Sequence, residues 1–229
     1  TTAQIRAMST SGLLGLTTDS LKAMSATQVA ALSTNQLQSL TSAQFATLEA
    51  GDLTTLSATQ IGALTSAQIS KLSTLQLQAI EGTDLAAIST DNFALLNTTQ
   101  TAALTAAQLS AITSAQFTTF TTQEIGGLTA TQIKGLTSAQ VAGLTATQIV
   151  ALGTAALPSL NAQAIKGMST ASIAALTTDQ AHVLTGAQVS AMSSTQLRSI
   201  ETADIAALST TAVNGLSGTA LQNFSTAQL

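Results

Sequence analysis

Three pairs of acids stand three residues apart in this chain: Glu49 with Asp52, Glu81 with Asp84, and Glu201 with Asp204. Paired carboxylates suit a cation. Calcium, however, takes six to eight oxygens, and nothing near these pairs supplies the rest. The other reading is local: the long acid stands before a helix start and the short one in its first turn, where negative charge suits the helix dipole. His182 is the only histidine. It has no Cys, no second His and no Ser–Asp pair arranged around it. Ser and Thr abound, but a hydroxyl nucleophile needs a base. Glycine is dispersed, with no G-x-G-x-x-G or G-x-x-x-x-G-K loop to cradle a phosphate. The expectation is therefore no catalytic residue, no metal ligand, no cofactor site and no enzyme.

The residues that would have to position such chemistry follow a repeat. Cutting the chain after every eighth residue aligns it without a gap. Examples are Thr41-Ser42-Ala43-Gln44-Phe45-Ala46-Thr47-Leu48 and Thr137-Ser138-Ala139-Gln140-Val141-Ala142-Gly143-Leu144. Every multiple of eight from Met8 to Phe224 is Leu, Ile, Met or Phe, and the fifth place is large and apolar except at Thr101 and Ala181. The first place is usually Thr or Ser, the fourth usually Gln, the seventh usually small. The sixth holds Arg6, Lys22, Lys134, Lys166, His182 and Arg198. Since Lys and Arg are almost never fully buried, the sixth place is expected to be the most exposed, with the fifth and eighth in the core. Residues 1–229 read as one continuous array, with an irregular repeat at 153–160 that contains the sole proline, Pro158.

An octad excludes one continuous helix, because eight steps of 100° leave a remainder of 80° and wind the apolar stripe off any one face. An uninterrupted strand would put large apolar residues on both faces, since the fifth and eighth places differ in parity. A short helix restarted in each repeat fits better. Thr or Ser followed three residues later by Gln is a capping box, and the flanking apolar residues are its hydrophobic staple. The Gln column needs no further role under this reading. So short a helix is marginal alone, so repeats must be held by their neighbours, as in a solenoid. The predicted fold class is all-α, a solenoid or superhelix of short capped helices, one per octad. A β-solenoid, with Gln stacked in ladders, is the alternative.

Composition narrows the partners. Only 7% of residues are charged and 2% aromatic, against about 25% charged in ordinary domains. Six basic residues and five Phe do not furnish the phosphate contacts and stacking platforms of a nucleic-acid binder. No run of about 18 apolar residues offers a membrane span. There is no cysteine, hence no disulfide or thiolate chemistry. No signal peptide is seen, and the chain reads as a piece of a longer array.

Strings such as Leu64-Thr65-Ser66-Ala67-Gln68-Ile69 and Leu128-Thr129-Ala130-Thr131-Gln132-Ile133 resemble the "LTTAQIAAL" octapeptide arrays of very large bacterial secreted or surface proteins of adhesin-like type. The resemblance implies an extracellular or cell-surface segment: a stalk, spacer or filament whose partners are its own neighbouring repeats and other copies in fibres. A hydroxyl-rich surface for glycan, ice or another protein is the alternative. Neither the calcium-binding nonapeptide G-G-x-G-x-D nor a haem-ligand pattern occurs.

Overall fold

The computed structural model describes residues 1–226 and 228. Each octad forms one short α-helix, from Thr2–Ala7 to Gly218–Leu221, each four to six residues long, and no strand occurs among the described residues. The protein is all-α. The helices group into two compact units, Thr1–Thr119 and Phe120–Leu229, with the same local construction in each.

Within an octad the first residue is extended and caps the helix. Ser57, at φ −77° and ψ 161°, accepts from the Gln60 amide through its hydroxyl, while the Gln60 Oε1 accepts the Ser57 N–H at 2.9 Å. The fifth-place N–H closes the turn onto the first-place carbonyl, as Ile61 does onto Ser57 at 2.9 Å, and the eighth-place N–H closes onto the fifth-place carbonyl, as Leu64 does onto Ile61 at 3.2 Å. Two such bonds end the helix before the next cap begins. The octad is thus a helical turn with its own start and stop.

In the first unit, helix Ala50–Leu53 packs on Ala26–Ala30 and on Thr74–Ala79. In the second, Thr122–Gly126 packs on Ala146–Ala151, and Thr178–His182 on Thr202–Ala207. Each partner lies three octads away, which is the contact pattern of a solenoid. Small residues allow the approach. A Cβ on Gly62 would lie 2.7 Å from the Ala87 carbonyl oxygen, and one on Gly167 would overlap the Ser138 carbonyl.

The fifth place is the innermost. Thr101 and Ala181, its two exceptions, are buried as deeply as the aliphatics; the Thr101 hydroxyl donates back to the carbonyls of Asn97 and Thr98, so no polar atom is stranded. Val213 and Leu221 are exceptions of another kind, about two-fifths exposed at 43% and 41%. The eighth place is buried from Leu32 to Leu208, whereas Met8, Leu16, Met24 and Leu216 are only half-buried. These repeats have no neighbouring turn of this chain on one side.

The sixth place is not the most exposed. The third is exposed in every octad where it is described, while Ala30, Gly62, Ala86, Thr118, Val150, Pro158 and Ala174 in the sixth are half-buried. The reason is the packing just described: the sixth place lies over the seventh place of the helix three octads on. The irregular repeat is a local rearrangement. Leu152 is helical instead of extended, Gly153 takes φ +64°, helix Gly153–Ala156 lacks a side-chain cap, and Leu157–Ser159 is a 3-10 turn. Leu160 is nevertheless extended and buried, so the octad register survives.

Three substitutions in one octad probe this construction. Leu144→Ala should cost roughly 2–5 kcal/mol through its cavity, Thr137→Ala about 1 kcal/mol through its cap, and Ala142→Lys less than about 0.5 kcal/mol at its exposed position. Urea unfolding of the three variants checks that order.

Candidate functional site

The three acid pairs do not converge. Glu49, Glu81 and Glu201 are exposed, each pair sits in its own octad, and no group of three or more metal-ligating side chains occurs among the described residues. The expectation that these pairs are inverted capping boxes holds in part. Asp52 Oδ2 accepts the Glu49 N–H at 2.8 Å, but Glu81 and Glu201 make no side-chain cap. Asp52 and Asp204 are buried, and Asp204 Oδ2 is buried with no hydrogen-bond partner. Burial pushes the Asp52 carboxyl above its ordinary value of 3.8; the Glu49 N–H opposes this and the Glu49 charge adds to it. Asp84 is likewise raised, by burial and then by Glu81.

His182 is exposed in the sixth place, with Nδ1 2.9 Å from the Ala207 carbonyl oxygen. An open hollow lies beside Leu72–Thr74 and Asn97–Gln100, but Ser73, Asn97 and Gln100 already serve helix caps.

The densest constellation of polar chemistry is the Gln column, and it has a second role beyond the cap. While Oε1 accepts from its own first-place N–H, Nε2 donates to backbone carbonyls 31 and 28 residues earlier, the fifth and eighth places of the octad four before. Gln108 donates to Leu77 at 2.8 Å and Ile80 at 2.7 Å; Gln116 to Leu85 at 2.9 Å and Ile88 at 2.7 Å. In the second unit Gln188 reaches Leu157 and Leu160 at 2.9 and 2.7 Å, so even the irregular repeat is joined; Gln196 reaches Ile165 and Met168 at 3.0 and 2.7 Å. These amides are nearly all buried. One side chain therefore satisfies a helix start and the orphan carbonyls of another helix's end. Packing three octads away and amide bonding four away put one solenoid turn between three and four octads in each unit.

Polar residues in the sixth place make the complementary bond. Gln38 Nε2 donates to Ala63 O at 2.8 Å, Gln78 Nε2 to Ala103 O at 2.9 Å, and Arg198 Nε to Asn223 O at 2.9 Å, each 25 residues on. His182 and Ser190 hold the same relation to Ala207 and Gly215. Part of the sixth-place column that reads as merely solvated thus caps seventh-place carbonyls, while Thr54, Ser70, Ser110 and Thr118 donate back within their own octads.

Substitutions in the fourth place grade the joint. Asn92, one methylene shorter than Gln, still reaches the eighth-place carbonyl of Leu64 at 3.1 Å. Ala164 has nothing to reach with, and Asn161 compensates from the first place: its Oδ1 accepts the Ala164 N–H at 2.8 Å while its Nδ2 donates to Leu136 O at 2.8 Å. One signal for this role stands in the sequence. Glu completes a capping box as well as Gln does, yet Gln fills most fourth places and Glu only that of Glu124. A donor is what Glu lacks.

Against known protein families, the ALTTAQ repeat model matches residues 15–50, 45–81 and 119–154. Those three segments are similar to ALTTAQ repeats. Of the two polar parts of the ALTTAQ octad, the hydroxyl caps its own helix and the Gln carries the joint between turns. No curated protein matches the chain.

Two asparagines in the first place separate cap from joint. Asn97 accepts from Thr99 and Gln100 amides through Oδ1, so Asn97→Asp should change stability by less than about 0.5 kcal/mol. Asn161→Asp keeps the cap but loses the donor to Leu136, and should cost about 1–3 kcal/mol. Denaturant melts of the two variants check the contrast.

Proposed function

We propose that this chain is a structural segment, a stalk, spacer or filament, of an extracellular bacterial surface protein of adhesin-like type, and that it self-associates into fibres. One observation carries the reading: the polar groups that recur along the array are spent inside it, on capping its helices and joining its octads. First-place hydroxyls accept helix-start amides, and fourth-place amides bridge to the carbonyls of an earlier octad. A chain so built adds length by adding octads, each stabilised by its neighbours. Its low charge does little to repel its own copies. In this reading it is not an enzyme and takes no cofactor, nucleic acid or membrane span; no helix among the described residues is long and apolar enough to cross a membrane.

A second reading rests on the third place, whose hydroxyls at Thr59, Thr99, Thr131 and Thr147 are exposed. Those of Thr59, Thr99 and Thr131 lie outside the cap bonds, as a repeated surface for glycan, ice or another protein, whereas Thr147 bonds the capping Thr145 hydroxyl. Small-angle scattering on a series shortened by whole turns separates the two readings when paired with glycan-array binding. A spacer loses length in proportion to octads removed and binds no glycan. Saturable glycan binding abolished by Thr99→Val and Thr131→Val would favour the surface reading instead.

A further inference from the structure

We propose that the three Glu-x-x-Asp octads are proton-operated seams: the fourth-place carboxyl joins two solenoid turns only when protonated, by donating to the eighth-place carbonyl 28 residues earlier. The carbonyls concerned are Met24 for Asp52, Leu56 for Asp84 and Leu176 for Asp204, by the register of Gln76, Gln100, Gln108 and Gln116.

The geometry comes from Asn92. It has the length and branching of Asp, stands in the same place of its octad, and its Nδ2 spans to Leu64 at 3.1 Å. A protonated Asp is its near-isostere, with an O–H where Asn has N–H. An ionised Asp offers only acceptors to a carbonyl that is also an acceptor. Asp204 shows the consequence, since its Oδ2 is buried and unpaired among its neighbours. In the other two octads burial raises the carboxyl above its ordinary value.

Few other charges bear on the seams. Helices Ala26–Ala30 and Thr74–Ala79, packed on Ala50–Leu53, carry no ionisable side chain; Asp19 and Lys22 lie on the helix before Met24, and Glu49 stands at the octad's own start. Helices Ala58–Gly62 and Ala106–Ala111, packed on Gly82–Leu85, carry none; Asp52 lies on the helix before Leu56, and Glu81 at the octad's start. For Asp204, the helix before Leu176 carries none, and Thr178–His182, packed on Thr202–Ala207, carries Asp179 and His182, with Glu201 at its own cap.

The sign follows. A carboxyl raised in the folded state makes the fold bind protons more tightly than the unfolded chain does. Its stabilising contribution is complete below the ordinary 3.8 and is lost as pH rises through the raised folded value. By this sign acid should tighten the Asp52 and Asp84 seams, the reverse of a salt-bridged carboxylate.

The experiment compares the 229-residue chain with a D52N/D84N/D204N variant. Hydrogen-exchange protection, corrected for the pH dependence of intrinsic exchange, is read at the amides of Leu56, Ile88 and Leu208 at pH 7 and pH 3.5. In the native sequence protection should rise about three- to tenfold on acidification, the equivalent of one net hydrogen bond. The triple Asn variant should already show the acid value at pH 7 and stay flat. Equal protection of variant and native chain at pH 7 would overturn the proposal. So would a pH response that persists in the Asn variant, or one that vanishes in E49Q/E81Q/E201Q with the aspartates intact, since the outer glutamates would then be its source.

Discussion

The structure depends on one requirement: a helix of four to six residues leaves nearly all its backbone groups without intrahelical partners. Long helices dilute that deficit; these cannot. The Gln amide meets it with one side chain whose acceptor end serves a helix start and whose donor end serves another helix's end. At Gln108 three polar contacts converge, to Thr105 N–H at 2.9 Å and to the carbonyls of Leu77 and Ile80. Because these groups are buried, a missing partner costs the full desolvation of whatever is left unpaired. The apolar fifth and eighth places supply burial, but the amide sets which octad lies over which.

That division of labour accounts for the octad's tolerance and its strictness. Third-place residues range from Ala and Thr to Asp91 and Leu75 and are exposed throughout. Sixth-place residues vary more than the core but not without consequence, since Gln38, Gln78 and Arg198 donate across to the next layer. Two departures in the fourth place are met in kind, by a shorter reach at Asn92 and by relocation of the amide at Asn161.

Much of this was legible in the sequence. The period, the capping box and the incompatibility of eight with a continuous helix gave one short helix per octad, and the structure has them. The cap at Thr137 and Gln140 forms as expected. Long-range pairing was not legible, because an amide's second hydrogen bond leaves no trace in local spacing; only the preference for Gln over Glu hinted at it. The sixth place misled for a similar reason. Basic residues there signal access to water, and a side chain such as Arg198 has that access while still bonding Asn223. The acid pairs looked like inverted caps because spacing sees the start of their own helix and not the carbonyls of an earlier one.

The most direct test replaces Gln108 with Glu. Volume and capping oxygen are retained, and Glu is as good as Gln in a capping box, so a cap-only role predicts a change within about 0.5 kcal/mol. If the amide is the joint, an acceptor is forced against the Leu77 and Ile80 carbonyls, and urea unfolding at pH 7 should show a loss of about 2–4 kcal/mol. A Gln108→Glu chain as stable as the native one would contradict the account.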